Sequence, residues 1–350
     1  MERMDQNMPF LLKYENVAWY ENGTVRILDR RVFPTEVKFV ECATYSEVAR
    51  AIADMVTQSA GPYTAVAMGM ALAAYQVRNE SVEKQADYLK QASYELAHSR
   101  PTTANRYGQI TERCRQVALE ALNEGKNPIN AIVDTAVESL NRRYSTMQKV
   151  GDYLADLIPE NGTVLTQCFG ETIIGTVIRA ALQSNKHFRV FCAETRPYLQ
   201  GARLTSSCFA EMGFDTTVVT DNMIAYSMEN EGISLFTSAA DSIARDGHIA
   251  NKIGTYQIAI LAKYFGIPYY VTGIPDKDKY SRKDIVIEMR DPEQVLCYRG
   301  IRNTLPNVKA IYPSFDIVPP HLISGAVTDK GVFVPHLLEH YFDSDVKAFY

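Results

Sequence analysis

Cys168 closes an apolar run, Val164 to Gln167, and Asp241 follows a second one, Ile233 to Phe236. A thiol and a carboxyl group that meet can share acid–base work when burial or neighbouring charges tune them. Beyond Asp241 a polar loop carries Arg245, Asp246, Gly247, His248, Asn251 and Lys252. An amphipathic helix then runs to about Phe265, Gly266 supplies a stop, and Pro268 lies two residues on. A further apolar run, Tyr269 to Val271, follows. Strand, polar loop, helix, strand is the order of a parallel α/β unit. Ligands of such sheets sit outside the carboxyl ends of the strands. Asp241, Asn251 and Lys252 fall there. Lys252 is expected in the first turn of its helix, where its charge and the free N–H groups could converge on a phosphate.

Each of these residues also has a plain structural reading. Cys168 suits a small buried hydrophobe, Asp241 a cap or turn, and Lys252 a solvated surface. Glu194 and Arg196, two apart after the next apolar run, suit a structural ion pair. Gln200 opens the following helix and points near the same rim. Arg100, before Pro101, is either a turn charge or a phosphate ligand. His336 and His340 spell HLLEH with Glu339, the letters of a zinc-hydrolase pattern. The pattern sits far from the strand-end cluster and lacks an evident third ligand, so a packing helix is expected and no metal. No GxGxxG follows a strand and no GxxxxGK[ST] occurs, so no nucleotide cofactor is implied.

The elements that would position these residues alternate through the second half. Strands are expected at Val164 to Gln167, Phe188 to Phe191, Thr216 to Val219, Ile233 to Phe236, Tyr269 to Val271 and, late, Val308 to Tyr312. Helices are expected at about Thr172 to Gln183, Leu199 to Met212 and Asn222 to Glu229, with a loop at Asp316 to Leu322. This alternation predicts an α/β fold with a doubly wound, Rossmann-like parallel sheet over 149–350. Before it, 1–148 reads as a separate domain of short β-strands plus a helical bundle. Glu21-Asn22-Gly23 marks a hairpin. Thr44 or Ser46 caps a helix that uses Val48, Ala51, Ile52 and Met55. Gly61 to Val77 is a tightly packed buried helix. Three more helical patterns follow: Val82 to Leu96, Thr103 to Gly125 and Pro128 to Asp156.

A chain of 350 residues favours two domains. Its net charge of −5 gives no basic footprint for nucleic acid. No window suits a membrane span, and the N-terminus shows no signal-peptide pattern. Six singly placed cysteines read as free thiols in a reducing cytoplasm.

Three segments together resemble the methylthioribose-1-phosphate isomerases, which share an initiation-factor-2B-like fold. AETRPYLQGARLT (193–205) with VVTDNM (218–223) resembles their ETRP-QGARLT and TDNM pattern. ADSIARDGHIANKIGTYQIAILAKYFGIPYYV (240–271) resembles their AD-I-NG-ANKIGTY segment. IYPSFDIVPPHLISGAVTDKGV (311–332) resembles their NPAFDVTP-LI-TEKG end. VRILDRRVFP, IADMV, GMALAA and SRPTTAN fit more loosely in the first half.

The resemblance implies a cofactor-free aldose–ketose isomerase, acting on a ribose 1-phosphate in methionine or carbohydrate salvage, usually as a homodimer. It assigns Cys168 and Asp241 to catalysis, and Arg100, Gln200, Asn251 and Lys252 to substrate binding. Apolar walls are expected to keep Asp241 protonated. Two departures stand at the substrate rim. The family's VRGAP phosphate loop is here VTQSAGP, so Gln58, Ser59 and Ala60 replace Arg-Gly-Ala. The CNAG that normally carries the catalytic cysteine is here CFGETIIG, with Phe169 in place of a small polar residue. They point to 5-methylthioribose 1-phosphate, to 5-deoxyribose 1-phosphate, or to both. A ribose-1,5-bisphosphate isomerase and a non-catalytic regulatory subunit are the alternatives.

Overall fold

The computed structural model describes residues 3–100 and 104–343. The chain divides into two compact units, Met1–Ser145 and Thr146–Lys347. The helix break expected at Arg100 to Thr103 lies outside the described residues from Pro101 on.

In the first unit a short helix, α1 (Tyr14–Val17), leads into an antiparallel sheet of β1 (Ala18–Glu21), β2 (Thr24–Leu28) and β3 (Phe39–Cys42). Asn22 and Gly23, both at positive φ, make the β1–β2 turn. Five helices follow: α2 (Tyr45–Ala53), α3 (Gly61–Gln76), α4 (Val82–Ala97), α5 (Ala104–Asn123) and α6 (Pro128–Leu157), the last containing the boundary between units. Thr44 is the α2 cap, in a reciprocal capping box with Glu47. α3 is apolar on every side because it is buried on every side, as its Ala, Gly and Met content implies. Among the described residues, no helix is long and apolar enough to cross a membrane.

The second unit is built on seven strands. They are β4 (Gly162–Gln167), β5 (Phe188–Ala193), β6 (Thr216–Val219), β7 (Leu235–Ala239), β10 (Tyr269–Thr272), β14 (Gly325–Thr328) and β15 (Gly331–Phe333), in the order β15-β14-β10-β7-β4-β5-β6. All neighbours are parallel except the β14–β15 pair. The helices α7 (Glu171–Gln183), α8 (Ser206–Glu211), α9 (Ile224–Asn230) and α10 (Thr255–Phe265) connect them. From β4 the chain winds outward through β5 and β6, then restarts on the other side of β4 with β7. The doubly wound expectation holds, and the winding reverses between β4 and β7, where such sheets bind ligands.

Two expectations fail. Val308 to Tyr312 is not a strand: Val308 and Ile311 are exposed and only Tyr312 is buried, so the run has no sheet face to fill. The place beside β10 is taken by β14, whose sequence GAVT lacks the bulky residues that mark a strand. The loop expected at Asp316 to Leu322 instead begins with β13 (Phe315–Val318). This strand pairs antiparallel with β9 (Ile249–Lys252), which pairs with β8 (Ser242–Ile243), giving a second small sheet, and β11 (Cys297–Tyr298) and β12 (Ile301–Arg302) form a separate antiparallel pair.

Candidate active site

β4 ends at Gln167, and Cys168 is the next residue. Its φ is +63°, the left-handed region that costs an L side chain energy and marks functional positions. Two threonines hold it there. Thr195 Oγ1 accepts the Cys168 N–H at 2.9 Å, and Thr205 Oγ1 donates to the Cys168 carbonyl. Thr205 closes a π-helical turn, Gly201–Thr205, that runs into α8. The turn packs so tightly on β5 that a Cβ on Gly201 would stand 1.8 Å from the Ala193 carbonyl oxygen, so only glycine fits.

Asp241 stands two residues beyond β7, the strand beside β4 across the reversal. Its backbone N–H donates to the Ala250 carbonyl at 2.9 Å, so it begins the β8–β9 hairpin. The hairpin register pairs Ser242 with Ala250, which sets Asp241 opposite Asn251. The polar loop expected here is therefore a hairpin, turned at Gly247 (φ +84°). This also corrects the placement of Lys252, which ends β9 and precedes α10. The α10 N-terminus is not available to a phosphate either. Gly254 N–H (2.7 Å) and Tyr256 N–H (3.0 Å) both donate to Asp316.

Lys252 is buried, not solvated, with Nζ 4.9 Å from the centroid of the Phe315 ring. Burial pushes its pKa down, and Arg290 adds to this, while Cys168 and Asp241 oppose it. Burial pushes the Cys168 thiol up to about 11; Lys252 pulls it back, Asp241 pushes it further, and Arg290 pulls it down. These mutual effects bring Cys168, Asp241, Lys252 and Arg290 into one electrostatic neighbourhood. Asp241 itself is exposed. The apolar enclosure expected around it falls on the thiol and the ammonium instead.

Asn251 points to the opposite side of β9 from Lys252. Its amide donates to Thr255 Oγ1 at 3.0 Å, within a buried cluster in which Thr255 donates to Gln167 (2.8 Å) and Gln167 donates to the Ile253 carbonyl (2.9 Å). That cluster ties the end of β4 to the end of β9. Gln200 is buried, and its Oε1 has no hydrogen-bond partner among the described residues.

Glu194 and Arg196 make no ion pair among the described residues. Arg196 Nη2 reaches the Val295 (3.2 Å) and Cys297 (3.3 Å) carbonyls instead. The Thr195 and Arg196 N–H groups donate to Asp221, whose charge, after burial, also raises the Glu194 pKa.

The remaining expected residues belong to the first unit. Gln58 and Ala60 are buried; Ser59 is exposed at φ +57°. Arg100 donates from Nε to the Ile52 carbonyl at 3.2 Å and also contacts Met55. The loop rests on Arg30, a fully buried guanidinium that donates to the Gln58 carbonyl at 2.6 Å. Arg30 was not singled out in the sequence, where it reads as one of a pair of charges in LDRRVFP. Thr195, Thr205, Gln167, Arg290 and Tyr312 were missed too, because their contacts join segments far apart in the chain. HLLEH forms no regular helix face. Pro335–Asp343 is a 3-10 segment broken at Leu337, and His340 Nδ1 sits 2.8 Å from Asp343.

Known proteins resemble this chain in sequence and in fold. The Initiation factor 2 subunit family matches residues 58–335. The methylthioribose-1-phosphate isomerase of Carboxydothermus hydrogenoformans is 37% identical over 340 residues, covering 93% of this chain and 97% of that one. The Thermotoga maritima enzyme of the same name is 36% identical, covering 94% and 97%. The structure of 5-methylthioribose 1-phosphate isomerase from Pyrococcus horikoshii superposes with a TM-score of 0.81 at 30% identity, covering 98% of this chain and 99% of that one. The translation initiation factor eIF-2B delta subunit from A. fulgidus gives 0.77 at 31% identity, covering 91% and 96%. The chain belongs to the methylthioribose-1-phosphate isomerase family, within the wider initiation factor 2 subunit family, and is an isomerase.

Proposed function

We propose that the protein converts a 5-modified ribose 1-phosphate, with 5-methylthio or 5-deoxy substitution, to the ribulose 1-phosphate. The observation that carries this reading is the half-buried Cys168 thiol at the reversal of the sheet, within electrostatic reach of Lys252 and Asp241. A sugar phosphorylated at O1 cannot open to a free aldehyde, so the ring C1–O4 bond must be cleaved with the phosphate in place. Asp241, exposed toward solvent, donates a proton to O4 and regains one from the O2 hydroxyl. One hydrogen moves from C2 to C1, and no electrons enter or leave. At neutral pH Cys168 is a thiol, so it acts beside C1–C2 as a neutral, polarisable group. Gln200, Asn251, Lys252, Gln58, Ser59, Ala60 and Arg100 are the proposed substrate contacts.

The short β4–α7 connection, Cys168 to Gly170 with Phe169 buried, favours a small C5 substituent. One methylene-sized group is worth only about 1–3 kcal/mol, so both substrates are expected to react. A homodimer is part of the same proposal. Tyr256, Ile260 and Tyr264 form an exposed apolar row on α10 at four-residue spacing, and Tyr226 is exposed on the adjoining α9. Six free cysteines support a reducing, cytoplasmic location.

The test is a panel of 5-methylthioribose 1-phosphate, 5-deoxyribose 1-phosphate and ribose 1,5-bisphosphate, with turnover measured for each. Turnover of the bisphosphate alone, or of none, overturns the proposal. Running the reaction in deuterated water separates the routes. Full solvent deuterium at C1 of the product excludes a pure hydride shift.

A further inference from the structure

We propose that Arg290 and Tyr312 form an oxyanion subsite for O2 of the sugar, the oxygen that becomes the product's ketone. The inference rests on the isomerase reading above and adds two residues to it.

The site is built by two segments lying side by side. Arg290 N–H donates to the Tyr312 carbonyl at 2.9 Å, Ser314 N–H donates to the Glu288 carbonyl at 2.9 Å, and Met289 bridges Pro313. Glu288 holds the guanidinium by its Nε at 3.2 Å, which leaves the far edge of the fork to point elsewhere. Arg290 Nη1 and Tyr312 Oη are both buried and lie close enough for the guanidinium to act on the hydroxyl, yet neither completes a hydrogen bond of ordinary geometry among the described residues. A buried donor left without an acceptor is costly, and two together in a native site call for a ligand.

Position identifies what the ligand is. Phe315, just beyond Tyr312, carries both cations on its ring, Lys252 at 4.9 Å and Arg290 at 6.0 Å. Arg290 also acts electrostatically on the Cys168 thiol, which agrees with its place beside Lys252 on the Phe315 ring. Glu288, whose charge also reaches Lys252, is a carboxylate that helps to balance the two cations. Burial works against the Arg290 charge, but Glu288 and Tyr312 outweigh it and hold its pKa above the ordinary value.

The chemistry needs such a pair whichever route is taken. In a hydride shift, O2 loses its proton and the alkoxide pushes hydrogen from C2 to C1. In an enolate route, the hydrogen leaves C2 as a proton, O2 carries the negative charge, and C1 is reprotonated. Both place an anion on O2 before the ketone forms, and donors fixed in advance stabilise it. The planar fork of arginine suits an oxygen approached from one side better than a lysine would.

The experiment compares wild type, Arg290→Ala, Arg290→Lys and Tyr312→Phe on whichever sugar 1-phosphate the wild type turns over. Arg290→Ala should lose about 10²–10³-fold in kcat with KM moving less than about threefold, and Tyr312→Phe about 10-fold. Added guanidinium ions should restore part of the Arg290→Ala loss, whereas Arg290→Lys should stay impaired. If Arg290→Ala does not fold by circular dichroism, Tyr312→Phe carries the test. Near-normal kcat, a loss confined to KM, or a folded Arg290→Ala that guanidinium does not rescue overturns the inference. An inactive wild type overturns the isomerase reading instead, so the two failures are distinguishable.

Discussion

Thr195 Oγ1 accepts the backbone N–H of Cys168 at 2.9 Å and itself donates to the Ala193 carbonyl at 3.0 Å. A residue of β5's extension thus holds the thiol-bearing residue of β4 in its left-handed conformation. Thr195→Val keeps the volume and removes both bonds. The expected cost is about 1–3 kcal/mol of stability. Turnover should fall by up to about 10²-fold through misplacement of the thiol. Thermal melts and kcat check the two effects separately. Loss of stability with unchanged kcat would make Thr195 a purely structural residue.

The Cys168 thiol, raised to about 11 by burial, should alkylate slowly at neutral pH. Its rate with iodoacetamide should climb about tenfold per pH unit until that value is approached, because the thiolate is the nucleophile. Cys168→Ser subtracts the contribution of the half-buried Cys297. A rate plateau below pH 8 would show an activated thiolate and remove the neutral-thiol role. The same shift makes the folded chain bind more protons than the unfolded one between the ordinary thiol value and about 11. Cys168 therefore contributes stability that is lost as pH rises through that window.

Lys252 is a buried cation whose pKa burial lowers. Lys252→Met should leave the melting temperature unchanged or raise it, while activity drops by about 10²-fold. The sign of the pH effect is opposite to that of the thiol. Below its ordinary pKa the folded chain binds fewer protons at Lys252 than the unfolded chain does. Stability gained from this site with rising pH should disappear in the variant. A marked loss of melting temperature would identify Lys252 as structural.

How much of this was legible in the sequence depends on chain distance. The apolar runs Val164 to Gln167 and Ile233 to Phe236 announce β4 and β7, although β7 continues through Thr237 and Ser238 to Ala239, so neighbouring strand ends for Cys168 and Asp241 could be expected without coordinates. Lys252 could not. Polar residues between Asp241 and Lys252 look like a solvated loop, and only pairing with β13, more than sixty residues on, turns them into a buried hairpin. Asp316 was invisible for the same reason: its partner amides at Gly254 and Tyr256 come from another segment. β14 was missed because burial by neighbours, not its own GAVT side chains, makes it a strand.

Arg30 offers a stability prediction. Its guanidinium is fully buried and donates to the Gln58 (2.6 Å) and Leu11 (3.4 Å) carbonyls. Arg30→Ala should destabilise the first unit by about 2–4 kcal/mol through lost bonds and a cavity, and should raise KM by loosening Gln58 to Ala60. Chemical denaturation and steady-state kinetics read the two effects. An unchanged KM would detach the loop from substrate binding.

Asp241→Asn should cut kcat by orders of magnitude with little change in folding, because Asp241 is exposed and its backbone N–H bond to Ala250 survives the substitution. Near-normal kcat would remove its acid–base role.

The hairpin between β7 and α10 has a further consequence. Neighbours along β9 look to opposite sides, so deleting one residue from its tip at Arg245 to His248 would exchange their outlook. The amide and the ammonium would trade sides of the strand. A one-residue change of length at that tip is thus expected to alter the charge carried on each side of β9 without substituting Asn251 or Lys252.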